Sequence, residues 1–328
     1  MTGHPVRIGV LGCASIAWRR TLPAMAAVPQ LTIVAVASRD REKAARFAAR
    51  FDAEPVHGHR ALLERDDLDA VYLPLPTGLH HEWAARALRA GKHVLCEKPL
   101  ATNLVAATEL VELAAKSELV LRENFMFLHH GQHRRIRELV DAGAIGELRT
   151  FTAAFGIPPL PATDVRYDKE LGGGALLDVG VYPIRAAQLF LGSGLRVAGA
   201  VLGSGSGVDV AGSALLTSEA GVTAQLSFGF QHHYRNAYEL WGSAGRIVLD
   251  RAFTPPGDWT PTVRVERPDG VEELTLPAED QFRAVTAAFA RAVQAGSGGG
   301  VPDGIEDGGT ATLRQAALVD AVRRAAGH

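Results

Sequence analysis

The chain has 328 residues, enough for about two domains at ~150 residues each. Its 34 Lys and Arg against 36 Asp and Glu leave a formal net charge of -2 with no sustained block of either sign, which argues against nucleic acid and anionic membrane as partners. Cys13 and Cys96 sit in apolar stretches, no basic leader with a cleavage pattern opens the chain, and no run reaches the length of a membrane span, so the expectation is a cytoplasmic globular protein.

Strand-like runs at 7–11, 32–37, 70–75, 93–96 and 119–122 alternate with helically spaced stretches, a pattern that predicts a parallel sheet with right-handed crossovers. From about residue 145 the texture changes. Runs at 148–155, 211–217, 222–230, 238–241, 246–249, 262–266 and 272–276 are separated by short turns, as in an antiparallel sheet. One long helix from the Gly172-Gly173-Gly174 run to Gly192 interrupts them, and helices at 280–294 and 310–325 close the chain. The glycine-rich segment 295–310 between these last two reads as a mobile connection. The fold class is therefore α/β: a Rossmann-type doubly wound domain over 1–123, then an α+β domain with a large open antiparallel sheet over 124–328, assigned to substrate binding and oligomerisation.

The first strand runs into Gly12-Cys13-Ala14-Ser15-Ile16-Ala17, which keeps the first glycine of G-x-G-x-x-G/A and the permitted alanine at the third position. Placed at the first βα turn, it aims a helix N-terminus at a pyrophosphate. The second strand ends in Ser38-Arg39 where an NAD site usually has a carboxylate. A hydroxyl and a guanidinium suit a 2'-phosphate, so NADP(H) is the expected cofactor, with Arg19 and Arg20 as further candidates. The alternative is that Asp40, two residues late, reaches the ribose. The loop Leu75-Pro76-Thr77 should line the cofactor, and His80 is either part of that site or a helix-start residue.

The stretch 93–100, HVLCEKPL, is a buried-strand pattern that ends in a glutamate and a lysine locked against a proline. Lysine is rarely buried unless paired and proline cannot extend a ladder, so this strand end holds a positive charge still. Metal chemistry is not expected of His129, His130 and His133: no H-E-x-x-H glutamate accompanies them, and Gly131 disturbs a helix through them.

The order G-x-A-x-x-A, P-T-G-L-H, A-G-K-H-V-L-C-E-K-P-L and G-G-G-A-L-L-D-V-G-V-Y-P resembles the glucose-fructose oxidoreductase / inositol dehydrogenase (Gfo/Idh/MocA) family over essentially the whole chain. GCASIAWRRTLPA, ENFMFLHHGQHR, GGGALLDVGVYPIRAAQLFLG and FTPP are most similar to its nucleotide-sugar 3-ketoreductases of deoxysugar and antibiotic biosynthesis, which reduce C3 of a dTDP-linked 3,4-diketo-2,6-dideoxyhexose. The resemblance implies that Lys98 sits beside the nicotinamide and the substrate carbonyl, with Glu97 pairing with or orienting it. It implies that Tyr182 is a candidate acid, with Asp178 four residues before it, and that Arg166 reaches cofactor phosphate or substrate. Either Lys98 or Tyr182 gives the proton. Gln231, Tyr234 and Thr254 lie in segments that face substrate. Relatives commonly pair through the open sheet, so a homo-oligomer is expected. Two other readings stand beside the ketoreductase: an NADP-linked dehydrogenase of a free sugar or polyol, and a dinucleotide-binding protein without turnover.

Overall fold

The computed structural model describes residues 4–205, 207–296 and 308–327. The chain divides into two compact units, Met1–Met126 with Gln281–Leu313, and Phe127–Asp280 with Arg314–His328. This differs from the contiguous division expected at 123/124. The segment that returns to the first unit carries the helix Gln281–Ala295, whose Phe289 and Ala290 join Ile8, Val10, Ala17, Leu22 and Met25 in one core. Apolar residues on one face of that helix cover the flank of the first strand, a long-range packing choice that spacing along the chain does not encode.

In the first unit, six parallel strands lie in the order β3-β2-β1-β4-β5-β6. They are β1 Val6–Leu11, β2 Leu31–Ser38, β3 Glu54–His57, β4 Ala70–Leu73, β5 His93–Glu97 and β6 Leu121–Asn124. β4 is buried at every position and β5 at all but its first, as parallel strands covered on both faces must be. β3 has no counterpart among the expected strands: it is a four-residue edge strand, mostly exposed, with Pro55 inside it.

In the second unit, eight strands lie in the order β14-β13-β12-β11-β7-β10-β9-β8. They are β7 Leu148–Gly156, β8 Arg196–Ser204, β9 Asp209–Thr217, β10 Thr223–Gly229, β11 Arg235–Gly242, β12 Arg246–Asp250, β13 Thr262–Arg267 and β14 Gly270–Thr275. All neighbours are antiparallel except β7 and β10, which run parallel in register Thr150↔Thr223 to Gly156↔Gly229. The long connection between them contains the helix Val181–Leu191 and so permits a crossover. β8, RVAGAVLGS, also went unforeseen; its Gly and Ala content and exposed edge position blunt the strand signal. Of the glycine-rich connection expected at 295–310, residues 297–307 lie outside the described residues. Among the described residues no helix is long and apolar enough to cross a membrane.

Candidate functional site

The first unit places its candidate residues at strand ends. Gly12 takes φ +125°, and a Cβ there would lie 2.7 Å from Leu75 Cδ2, so the turn after β1 closes against the loop after β4 only because residue 12 is glycine. Ala14 and Ser15 follow at the helix start, and Ile16 already has helical dihedrals. Burial raises the Cys13 thiol pKa to about 11, against opposing pulls from a hydrogen bond with Ser38 and from the charges of Lys43 and Arg46.

Gly12, Cys13, Ser38 and Leu75 are thus brought together, joined by two cations that sequence reasoning missed. Lys43 and Arg46 follow Arg39 by one and two helical turns in SRDREKAAR, a spacing that could have revealed them. Arg39 is exposed, and its carbonyl lies 3.1 Å from His57 Nε2. Asp40, the alternative ribose contact, caps the helix Arg41–Arg50 through Oδ1, which accepts from the Glu42 and Lys43 amides at 3.0 and 3.1 Å. Arg20 is exposed, whereas Arg19 folds back so that Nε donates to the Ser15 carbonyl at 3.4 Å. A glycine turn opening a helix, and a hydroxyl among cations at the tip of β2, fit a dinucleotide carrying a 2'-phosphate.

After β4, Leu75, Pro76 and Thr77 are half-buried and lead through the turn Thr77–Leu79 into the helix His80–Arg89. His80 does not point outward as a ligand would. It is buried, with Nδ1 2.8 Å from the Pro99 carbonyl and Nε2 2.7 Å from the Leu75 carbonyl, and so ties the two loops together. Burial pushes its pKa below the ordinary imidazole value, the carbonyls oppose that, and Lys98 adds to it. Glu97 is buried as well: its Oε1 lies 2.6 Å from Tyr72 Oη and accepts from Asn124 Nδ2 at 2.7 Å. Past the cis Lys98–Pro99 bond, the Leu100 amide donates to Glu123 Oε1 at 2.8 Å. The turn is therefore gripped at residues 97, 99 and 100, while Lys98 between them stays partly exposed.

The second unit holds its residues differently. Gly173 and Gly174 sit where side chains would collide: a Cβ on Gly173 would lie 2.5 Å from the Arg166 carbonyl, and one on Gly174, at φ +117°, would press on Asp209 Oδ1. That close packing brings the loop carrying Arg166 against the helix start, and Asp209 Oδ2 accepts from the Leu176 amide at 2.6 Å. The helix does not begin as an α-helix. A π-turn, Leu176–Gly180, precedes Val181–Leu191, since Pro183 has no N–H and its ring would press on the Val179 carbonyl in a regular turn.

Asp178 lies on the π-turn, and its Oδ2 accepts from Arg166 Nε at 2.6 Å while Arg166 Nη1 donates to Asp164 Oδ1 at 3.1 Å. Asp178 is the largest influence holding the Arg166 pKa above its usual value. Arg166 and Asp178, expected separately at the site, thus form an ion pair in which each anchors the other. Tyr182 is buried among Phe127, Phe155 and Phe253, with ring centroids 5.9, 5.2 and 5.7 Å away. Asn236, also missed by sequence reasoning, joins Tyr234 and Thr254: its Nδ2 donates to their hydroxyl oxygens at 3.2 and 2.8 Å. Gln231 is exposed just beyond β10. The loops bearing Arg166, Gln231, Tyr234 and Thr254 all leave the sheet at one end, where β7, β10 and β12 finish and β9, β11 and β13 begin.

The histidines have structural tasks. His130 caps the helix Gly131–Asp141 by accepting from the Gln132 amide at 3.2 Å, which is why Gly131 opens that helix rather than interrupting it. His133 is buried, with Nδ1 2.8 Å from Tyr238 Oη. Among the described residues no cluster of three or more His, Cys, Asp or Glu could hold a metal ion.

Two family models match the chain: the oxidoreductase family with an NAD-binding Rossmann fold over residues 6–125, and the GFO/IDH/MocA C-terminal domain over 133–248. The chain is 60% identical over 323 residues to dTDP-3,4-didehydro-2,6-dideoxy-alpha-D-glucose 3-reductase of Saccharopolyspora spinosa, covering 98% of this chain and 97% of that one. It is 55% identical to the protein of the same name from Actinomadura kijaniata, covering 98% and 96%. A 3-ketoreductase from Actinomadura kijaniata, solved in complex with NADP and TDP-benzene, superposes with a TM-score of 0.94 at 54% identity, covering 98% of both chains. With both domains matched and the glycine turn, E-K-P strand end and Gly-rich helix start in place, the chain belongs to the Gfo/Idh/MocA oxidoreductase family.

Proposed function

We propose that the chain is an NADPH-dependent 3-ketoreductase of a dTDP-linked 3,4-diketo-2,6-dideoxyhexose in deoxysugar biosynthesis. The observation that carries this reading is the gripped turn 97–100, which presents one partly exposed ammonium at the end of a buried strand. The relatives named above supply the substrate class.

When bound, NADPH supplies the hydride that C3 accepts. Gly12, Cys13, Ala14, Ser15 and Ile16 hold its pyrophosphate at a helix N-terminus, and Ser38, Arg39, Lys43 and Arg46 hold the 2'-phosphate. Leu75, Pro76 and Thr77 line the same loops. Lys98 donates a hydrogen bond to the ketone oxygen and stabilises the negative charge growing there, and Lys98 and Tyr182 between them supply its proton. Asp178, fixed by Arg166, orients the sugar, while Gln231, Tyr234 and Thr254 bind the nucleotide-sugar.

Assembly belongs to the same proposal. The outer face of the eight-stranded sheet carries Val201 at 70% and Trp241 at 58% exposure, and a second copy of the chain would cover them. The setting is cytoplasmic, in keeping with two free thiols.

The test is to mix the protein with NADPH and a panel of keto-sugars, free and dTDP-linked, and follow nicotinamide absorbance. Consumption with the linked diketo-sugar alone supports the reading. Oxidation of free sugars with NADP would replace it with the dehydrogenase, and altered cofactor fluorescence without consumption would replace it with a binding protein.

A further inference from the structure

Four buried polar side chains from four elements of the first unit meet behind Lys98, and the site as read from the sequence uses only one of them. Thr21 ends the π-turn Ala17–Thr21, Tyr72 lies on β4, Glu97 ends β5 and Asn124 ends β6. Tyr72 Oη is 2.6 Å from Glu97 Oε1 and 2.9 Å from Thr21 Oγ1, and Asn124 Nδ2 donates to the same Oε1 at 2.7 Å. A phenol has one proton: with Glu97 ionised and able only to accept, Tyr72 donates to it and accepts from Thr21. Asn124 turns its amide nitrogen to Glu97 although its own Oδ1 is left buried without a partner, an orientation that suits an anion.

The surroundings are otherwise hostile to that anion. Burial is the largest influence and raises the Glu97 pKa above the usual carboxylate value, while Tyr72, Asn124, the Lys98 charge and the Lys98 amide pull it down. Cys96 on the same strand and Glu123 on β6 also lie close, and neither brings a positive charge. Ionisation of Glu97 thus depends on its donors.

We propose that Tyr72, Asn124 and Thr21 are positioning residues that act through Glu97: they hold its carboxylate ionised and fixed, and through it hold Lys98 in place for reduction. Thr21 reaches the network because the π-turn ahead of Pro23 directs it inward, which ties the helix that opens at the glycine turn to the strand end bearing the ammonium. The inference rests on the ketoreductase reading and adds to it three fully buried residues that reach Lys98 only through Glu97.

The experiment compares wild type, Tyr72→Phe, Glu97→Gln, the double variant and Lys98→Met with NADPH and the dTDP-linked diketo-sugar. Tyr72→Phe should lower kcat by about tenfold, the size of one hydrogen bond to a charged group, with the Kd for NADPH held within about twofold. The double variant should be no slower than Glu97→Gln alone, since Tyr72 acts only through that carboxylate. Infrared spectra at neutral pH should show a protonated-carboxyl band in Tyr72→Phe that the double variant lacks. Unchanged kcat in Tyr72→Phe, losses that multiply in the double variant, or absence of that band would overturn the proposal. Should Tyr72→Phe fail to fold, Thr21→Val keeps the volume and must show the same pattern at smaller size, or the proposal falls. If wild type reduces nothing, or Lys98→Met is as fast as wild type, the ketoreductase reading fails and takes the inference with it. If Lys98→Met alone is slow, only the inference fails.

Discussion

The two sheets place chemistry by different rules. In the six-stranded sheet every strand runs the same way, so all carboxyl ends share one edge and each site residue directly follows or ends a strand: Gly12 after β1, Ser38 at the end of β2, Leu75 two residues past β4, Lys98 after β5. In the mostly antiparallel sheet consecutive loops go to opposite ends, and the candidate residues sit on a helix start and in three separate loops. Distance along the chain therefore locates a residue in the first unit, whereas in the second its hydrogen-bond partners must be known.

That contrast predicts unequal consequences of mutation. Lys98→Met removes a charge from a turn gripped at three neighbouring residues and should lower kcat by on the order of 10² or more, with NADPH binding preserved in a fluorescence titration. Tyr182→Phe removes one hydroxyl from a ring that keeps its packing against Phe127, Phe155 and Phe253. It should cost about tenfold in kcat with an unchanged Tm. Equal losses in the two variants would erase the distinction between a fixed charge and an exchangeable donor.

What the sequence revealed follows the same divide. Parallel order, the glycine turn and the E-K-P strand end were legible because buried strands are continuous apolar runs and their ends must be punctuated. The return of the helix Gln281–Ala295 to the first unit was not, since it depends on which core has room for Phe289. Nor were the two π-turns. Each lies shortly before a proline, Pro23 or Pro183, and each delivers a residue of consequence, Thr21 or Asp178. Both prolines are plain in the sequence, but the widened turn that relieves them is a response of packed backbone. The pairing of Arg166 with Asp178 escaped for a related reason: it exists because Gly173 and Gly174 let their loop pack where side chains would collide.

The second unit has its own probe in His133. Burial, the largest influence, lowers its pKa from the ordinary value to about 3, so the folded protein keeps the ring neutral where the unfolded chain would protonate it. Gln132 Nε2 faces the ring's Nε2 at 3.3 Å, so the proton sits on Nδ1 and is donated to Tyr238. Stability from this site is complete above the unfolded imidazole value and drains as pH falls from about 6.5 toward about 3, at about 1.4 kcal/mol per pH unit. Urea titrations at pH 7 and pH 5 should therefore show wild type losing about 2 kcal/mol more than His133→Asn over that interval. Parallel losses would mean that another group governs acid sensitivity.

The smallest effect tests the first unit's rule at the tip of β2. Arg39 is exposed, and Lys43 and Arg46 reach the same corner from the next helix, so the positive charge around Ser38 is shared among side chains in water. Arg39→Ala should raise the Kd for NADPH by about tenfold and Lys43→Ala by about threefold, while NADH, which lacks the 2'-phosphate, changes within about twofold in each. Screening supplies the internal control: exposed charges lose reach as the Debye length shrinks, so the NADPH penalty should narrow on going from about 0.05 M to about 0.5 M salt. Equal penalties for NADH and NADPH would remove the 2'-phosphate from this corner and leave the tip of β2 with the ribose alone.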